Sequence, residues 1–233
     1  ELHEVPDGIS LLVTPKPAFL FDLDGTRADT LPDIAATTNH VRRLHGLAPA
    51  DTTTVRTFIG DGAKTLLRRA LAELAPREEV DHDALEGAFA AYIEHHREQC
   101  TGHAQLYPGV REHLTALTEQ GGAIAIVTNK PEQFALPLAR HLGLDEFTSV
   151  IIGGDTLSTK KPDPAMLAHA LARLGASPTN ATMIGDGLQD LRAGRALGLR
   201  TIACLFGYGD PTALQAEGAD EYWAAFARPI RPR

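Results

Sequence analysis

Two aspartates set two residues apart, Asp22 and Asp24, follow directly on the apolar run Ala18 to Phe21. On an extended chain residues i and i+2 point the same way, so both carboxylates enter one space. Two anions that close repel, and the pair calls for a cation, a shared proton, or both. Such a pair suits metal-assisted chemistry with one carboxylate as nucleophile and the other as acid/base. Gly25 supplies a permissive backbone where the chain turns. The competing reading is a solvated Asp-x-Asp-Gly turn, because both residue types are common in turns. Further along, Thr128-Asn129, Lys161, and Asp186 with Asp190 add a hydroxyl, an amide, a cation and two more carboxylates. Singly, each has a plain structural reading. Thr128-Asn129 would cap a helix, Lys161 before Pro162 would be a loop lysine, and Asp186 and Asp190 would be an N-cap and a first-turn acid.

What gives these residues weight is the elements that must carry them. Ala18 to Phe21 is apolar at both parities, as in a strand buried on both faces of a parallel sheet. Buried strands are also expected at Ala123 to Val127, Ser149 to Ile152, Thr182 to Ile184 and Thr201 to Leu205, with helical spacing between them. Strand–helix alternation implies an α/β, doubly wound, Rossmann-like parallel sheet with helices on both faces. Ligands of such a sheet bind beyond the carboxyl ends of its strands. Asp22 and Asp24, Thr128 and Asn129, Lys161, and Asp186 with Asp190 all fall there. Together they form the parts of a phosphoryl-transfer site: hard oxygen ligands for Mg2+ and donors for phosphoryl oxygens.

Between the first strand and about residue 105 the pattern is helical. Thr30 and Pro32 are placed to cap and start a helix with Ile34, Val41 and Leu44 on its buried face. Ala63, Leu66, Leu67, Ala70, Leu71 and Leu74 keep i, i+3, i+4, i+7 spacing, with Pro76 as the stop, and Leu85, Phe89, Tyr92 and His96 repeat the pattern. The chain therefore divides into an N-terminal extension (1–17, with an edge strand conceivable at Leu11 to Val13), an α/β core (18–30 and 107–227), an inserted helical cap (31–106) and a tail (228–233). In the cap, the Gly60-Asp61-Gly62 turn permits close approach to the core, and Lys64 is a candidate for a second substrate anion. Arg68 and Arg69 read as a solvated helix face, and His95 and His96 as surface or packing residues.

Composition narrows the partners. The 233 residues carry a formal charge of −8, so nucleic-acid binding through a basic surface is not expected. An anionic substrate needs local attraction from a metal, a lysine or backbone N–H groups. Two cysteines, Cys100 and Cys204, make no disulfide scaffold. No apolar run reaches membrane-spanning length, and the first residues lack the order of a signal peptide. The expected setting is cytoplasmic, and the expected partner is a small phosphorylated metabolite.

The four stretches Asp22-Leu-Asp24-Gly-Thr26, Thr128-Asn129, Lys161-Pro162 and Gly185-Asp186 through Asp190 resemble, in order, the four motifs of the haloacid dehalogenase-like hydrolases. Within that family Phe58-Ile-Gly60-Asp-Gly62, Tyr107-Pro-Gly109-Val110, Thr128-Asn-Lys130-Pro131 and Gly153-Gly154-Asp155 resemble the phosphoglycolate phosphatases. The resemblance implies a haloacid dehalogenase-type core with a helical cap inserted after the first strand. It implies Asp22 as nucleophile and Asp24 as acid/base. Mg2+ would lie between Asp22, the main-chain carbonyl of Asp24 and Asp186, with Asp190 in support. Thr128 and Lys161 would hold phosphoryl oxygens, assisted by Asn129 and the backbone at Gly25. Dehalogenases of the family lack an acid/base at the place of Asp24, which favours phosphate-ester hydrolysis. One departure stands out. The family commonly has Leu after Asp-Gly-Thr, and this chain has Arg27, a residue placed to alter cap closure, to meet a substrate carboxylate, or to be neutral.

Overall fold

The computed structural model describes residues 16–74 and 80–226. Strand β1 (Ala18–Phe21) is fully buried and lies at the centre of a six-stranded sheet. The sheet contains β4 (Ala123–Val127), β5 (Ile151–Ile152), β6 (Ala181–Gly185), β7 (Arg200–Cys204) and β8 (Glu221–Trp223), in the order β5-β4-β1-β6-β7-β8 and parallel throughout. Both neighbours of β1 are distant in sequence: Ala18 is in register with Ala123 on one side and Ala181 on the other. The apolar run of β1 splits between two cores. Phe19 and Phe21 face a cluster with α5 (Val110–Glu119) and α6 (Glu132–His141), while Ala18 and Leu20 face α7 (Ala165–Leu174) and residues of α8 (Leu188–Ala196). A strand apolar at both parities is what this two-sided burial requires. Helix α9 (Pro211–Glu217) covers the end of β7 through Leu214.

A short antiparallel ribbon, β2 (Ala28–Asp29) with β3 (Gln105–Leu106), brackets the helical block where the chain leaves and rejoins the sheet. The block holds α1 (Leu31–Leu44), α2 (Thr52–Arg56), α3 (Ala63–Ala70) and α4 (His82–Gln99). Its own apolar cluster takes in Phe134 from α6, whose ring meets His96 edge-on at 4.7 Å between centroids.

Several expectations need correction. Leu44 lies at the end of α1 and is 61% exposed, whereas Ile34 and Val41 are buried as the spacing requires. Helix α3 stops at Ala70, and residues 72–74 form a single 3-10 turn; Pro76, the expected stop, lies outside the described residues. Only Ile151 and Ile152 of the third expected strand pair with β4, because the hydroxyl of Thr148 takes up the Val150 N–H. Thr30 does not cap α1 with its side chain; its hydroxyl turns to Asp24. The ribbon strands and β8 are too short to have shown a pattern. The possible strand at Leu11 to Val13 and the tail lie outside the described residues.

Candidate active site

The site begins where β1 ends. Asp22 still belongs to the sheet through its N–H, which donates to Ile184 O at 2.9 Å. The chain then folds tightly, with the N–H groups of Arg27 and Ala28 both donating to Leu23 O. Gly25 makes this possible: its φ is +77°, and a Cβ there would lie 2.3 Å from Asp186 Oδ2 and 2.9 Å from the Tyr208 ring. The turn brings Thr26 under the next carboxylate, and its hydroxyl donates to Asp186 Oδ1 at 2.6 Å.

Asp186 and Asp190 come from the end of β6 and the first turn of α8. Asp186 Oδ2 accepts the Tyr208 N–H at 2.6 Å. Asp190 Oδ2 accepts the N–H of Gly187, closing the start of α8, and its Oδ1 accepts from Lys161 at 2.6 Å. The Lys161 ammonium is 1% exposed and has three hydrogens with three acceptors: Asp190, Asp22 Oδ1 at 2.9 Å and Val127 O at 2.6 Å. Burial alone would lower its pKa; Asp190 and Asp22 outweigh that and raise it. Burial, followed by the negative charge of Asp22, lifts both Asp186 and Asp190 above the ordinary carboxylate range.

Asp24 stands on the open side. Its Oδ1 accepts from the Thr30 hydroxyl at 2.6 Å, and Lys130 Nζ lies 3.1 Å and 3.3 Å from its two oxygens. Thr128 directly follows β4, buried, and its oxygen accepts the Lys130 N–H, which leaves the hydroxyl hydrogen free to donate. Asn129 has a different task from the one expected. Its amide hydrogens go to Gly60 O (3.0 Å) and Lys161 O (2.9 Å), and its carbonyl accepts the Lys161 N–H. With both donors committed, its side chain braces the Lys161 loop against the helical block and has no hydrogen left for a phosphoryl oxygen.

Asp22, Asp186 and Asp190 offer oxygens that all lie within 4.8 Å of one another. Asp22, Asp24, Asp186 and Asp190 stand against two ammonium groups, Lys130 and Lys161. Four carboxylates share two ammonium groups, and Asp186 has no ion-pair partner among the described residues. An all-oxygen donor set with carboxylates outnumbering ammonium groups fits a hard divalent cation.

A cavity of about 780 Å³ opens over these groups, between the sheet and the helical block. Asp22, Asp24, Thr128, Asn129 and Asp186 line it from below, and Gly60, Asp61 and Gly62 from above. Gly62 has φ +86°, and a Cβ there would come within 3.3 Å of Asn129 O, so close approach uses the glycine. Lys64 is not brought to the cavity: its ammonium pairs with Glu86 at 2.6 Å on the exposed side of α3. Arg69 pairs with Asp61. His96 is buried in packing, with Nδ1 3.0 Å from the Thr37 hydroxyl. Arg27 does not face the cavity. It is completely buried, with its guanidinium 3.9 Å from the centre of the Phe21 ring, and none of its side-chain nitrogens has a hydrogen-bond partner.

The structure adds Thr26, Thr30, Lys130, Arg56 and Tyr208, which motif reading had not assigned to the site. Thr26 closes the first quoted motif and Lys130 lies inside the stretch Thr128-Asn-Lys130-Pro131, so membership of those stretches was the available signal. Nothing in the sequence singles out Tyr208. It donates its N–H to Asp186, and its hydroxyl accepts from Thr30 N at 2.7 Å and donates to Asp29 at 2.9 Å.

Comparison with known proteins agrees with this geometry. The chain belongs to the haloacid dehalogenase-like hydrolases, whose family model matches residues 19–204. Within that family its likeness is to phosphoric monoester hydrolases of the phosphoglycolate phosphatase group. It is 38% identical over 200 residues to the phosphoglycolate phosphatase of Chromobacterium violaceum, covering 86% of this chain and 90% of that protein. It is 39% identical over 201 residues to phosphoglycolate phosphatase 1 of Pseudomonas aeruginosa, covering 84% and 73%. The crystal structure described as a predicted phosphoglycolate phosphatase from Haemophilus somnus superposes with a TM-score of 0.84 at 30% identity, over 92% of this chain and 96% of that one. Among the described residues no helix is long and apolar enough to cross a membrane.

Proposed function

We propose that this protein is a Mg2+-dependent phosphatase that hydrolyses a small phosphate monoester through an aspartyl phosphate, with 2-phosphoglycolate as substrate. The observation that carries the reading is the position of Asp22. It is a buried strand-end carboxylate with one oxygen held by Lys161, beside Asp186, at the floor of a cavity that also presents Asp24. The names of the relatives support 2-phosphoglycolate as the substrate.

Asp22 attacks phosphorus with the oxygen that Lys161 does not hold, and the ester oxygen departs. Asp24, two residues on, gives that oxygen its proton and then withdraws one from the water that hydrolyses the acyl phosphate. In the resting arrangement Asp24 accepts hydrogen bonds from Thr30 and Lys130, partners it leaves when it turns to the reacting oxygen. Thr128, with its free hydroxyl hydrogen, donates to a phosphoryl oxygen; the Gly25 N–H, expected to assist, is already given to Ala28 O at 2.9 Å. Lys161 joins Thr128 when the substrate replaces one of its three acceptors. Asp22, the main-chain carbonyl of Asp24 and Asp186 would hold Mg2+, and Asp190 would fix Lys161. Bound there, the ion neutralises phosphoryl charge. Residues 31–106 act as a cap on the core 18–30 and 107–227, excluding water from the cavity. Two unpaired, buried cysteines suit the cytoplasm.

The test is phosphate release in Mg2+ from 2-phosphoglycolate, a hexose phosphate and pyrophosphate. The phosphoglycolate reading requires the largest kcat/KM for the first. Asp22→Asn should abolish turnover and the transfer of labelled phosphate to protein; labelling that survives would remove Asp22 as nucleophile.

A further inference from the structure

Four basic side chains line the cavity among the described residues: Arg56, Arg69, Lys130 and Arg192. Three are matched to carboxylates. Lys130 is 3.1 Å from Asp24, Arg69 pairs with Asp61, and Arg192 is 2.7 Å from Glu217. Arg56, half-buried at the end of α2, has no carboxylate. Its Nε donates to Tyr208 O at 3.2 Å and its Nη2 to Gly207 O. These carbonyls fix the plane of the guanidinium and leave its charge uncompensated. Two of its five N–H groups are spent, so three remain, including both on Nη1.

The loop that holds Arg56 is the loop that rests on the carboxylate cluster. The Tyr208 N–H is on Asp186 Oδ2, and a Cβ on Gly207 would lie 2.3 Å from Asp186 Cβ. One residue, Tyr208, therefore has its N–H on Asp186 and its carbonyl on Arg56. The N and O of a single residue lie within about 3.6 Å of each other. Adding the two hydrogen bonds, 3.2 Å and 2.6 Å, puts Arg56 Nε no more than about 9.5 Å from the Asp186 carboxylate, a span set by backbone dimensions. A two-carbon phosphate ester with its phosphoryl group at Asp22 reaches across such a gap.

We propose that Arg56 receives the carboxylate of the substrate and so makes the site selective for phosphate monoesters with a second anion on the adjoining carbon; this rests on the phosphatase reading above. A guanidinium held in plane by two carbonyls presents its remaining N–H groups as a fork, the geometry that pairs with a carboxylate. The apposed Arg69 and Arg192 have no such role, because their charge is already met. Lys130 serves Asp24.

The experiment compares kcat/KM for 2-phosphoglycolate with that for ethyl phosphate, which has a methyl group where the carboxylate stands. The wild-type enzyme prefers the carboxylated ester. Arg56→Ala lowers that preference about 100-fold, the scale of losing one member of a desolvated charge pair. Arg56→Lys, which keeps the charge without the fork, lowers it at least fivefold and guards against a misfolded alanine variant. Arg192→Ala leaves it within threefold. A purely structural staple would lower both substrates together and leave their ratio fixed, and that result overturns the inference. So does a wild-type preference that survives Arg56→Ala and Arg56→Lys, which would leave the phosphoglycolate reading intact. A wild-type enzyme with no preference overturns both.

Discussion

Arg27→Leu should make the protein more stable, by an amount the structure sets. The Arg27 side chain is 0% exposed, its three nitrogens have no hydrogen-bond partner, and burial depresses its pKa to about 9 in spite of the opposing pull of Asp22. Set against the ordinary arginine value, that depression corresponds to about 5 kcal/mol of unfavourable charge burial at neutral pH. Against this the native arginine gains up to about 2 kcal/mol from stacking on Phe21. Leucine, being smaller, also gives back part of the gain through imperfect filling. The net is about 2–3 kcal/mol, or roughly 5–10 °C in Tm for a chain of this size. The sign with pH is distinctive. Between pH 9 and 12.5 the unfolded chain binds this proton and the folded one does not, so wild-type stability recovers as pH rises. At pH 10.5 about 2 kcal/mol of the cost is gone, and the advantage of Arg27→Leu nearly vanishes. Urea denaturation of both proteins at pH 7 and 10.5 reads this directly. An unchanged or lower midpoint for Arg27→Leu at pH 7, or an advantage of equal size at both pH values, would refute the argument.

Asp24→Ala should slow turnover by about 10²–10⁴-fold while leaving circular dichroism unchanged; a variant that turns over at the original rate removes Asp24 as acid/base. Lys161→Met leaves the buried Asp22 and Asp190 facing each other without their cation, at a cost of about 3–5 kcal/mol. Because those carboxylates can take up protons, the deficit should shrink as pH falls, and a deficit independent of pH would contradict the pairing. Burial raises the folded-state pKa of Asp186 and Asp190 above the unfolded value. The metal-free protein therefore loses stability from this pair as pH climbs out of the usual carboxylate range. A divalent ion competes with those protons, so the Tm increment on adding Mg2+ should be larger at pH 8 than at pH 5.5. Equal increments would count against a metal site on these groups.

Much of the core was legible because the strands are buried on both sides. An apolar run like Ala18 to Phe21 has few other structural outcomes, and its abrupt end in Asp22 marked the cavity floor. The helical block was legible as helices, but its contribution to the site was not. Lys64 and Arg56 are both charged residues on helices of the inserted block. Only the fold shows that the first turns outward to Glu86 and the second inward to the 207–208 loop. Asn129 was correctly placed at a strand end, yet its two amide hydrogens are claimed by Gly60 and Lys161, pairings separated by 69 and 32 residues. Thr30 looked like a cap because the competing acceptor, Asp24, is near in sequence but reached only through the turn at Gly25.

The central place of β1 has a consequence for how the molecule is made. Its two hydrogen-bonding neighbours are encoded more than a hundred residues downstream, so a growing chain carries the acidic pair long before anything exists to shield it. Residues 31–74 and 80–106, rich in short-range contacts, can gather into helices on the ribosome meanwhile. The sheet, and with it any catalytic competence, must wait until Lys161, Asp186 and Asp190 have emerged, which makes assembly of the site a late event in synthesis.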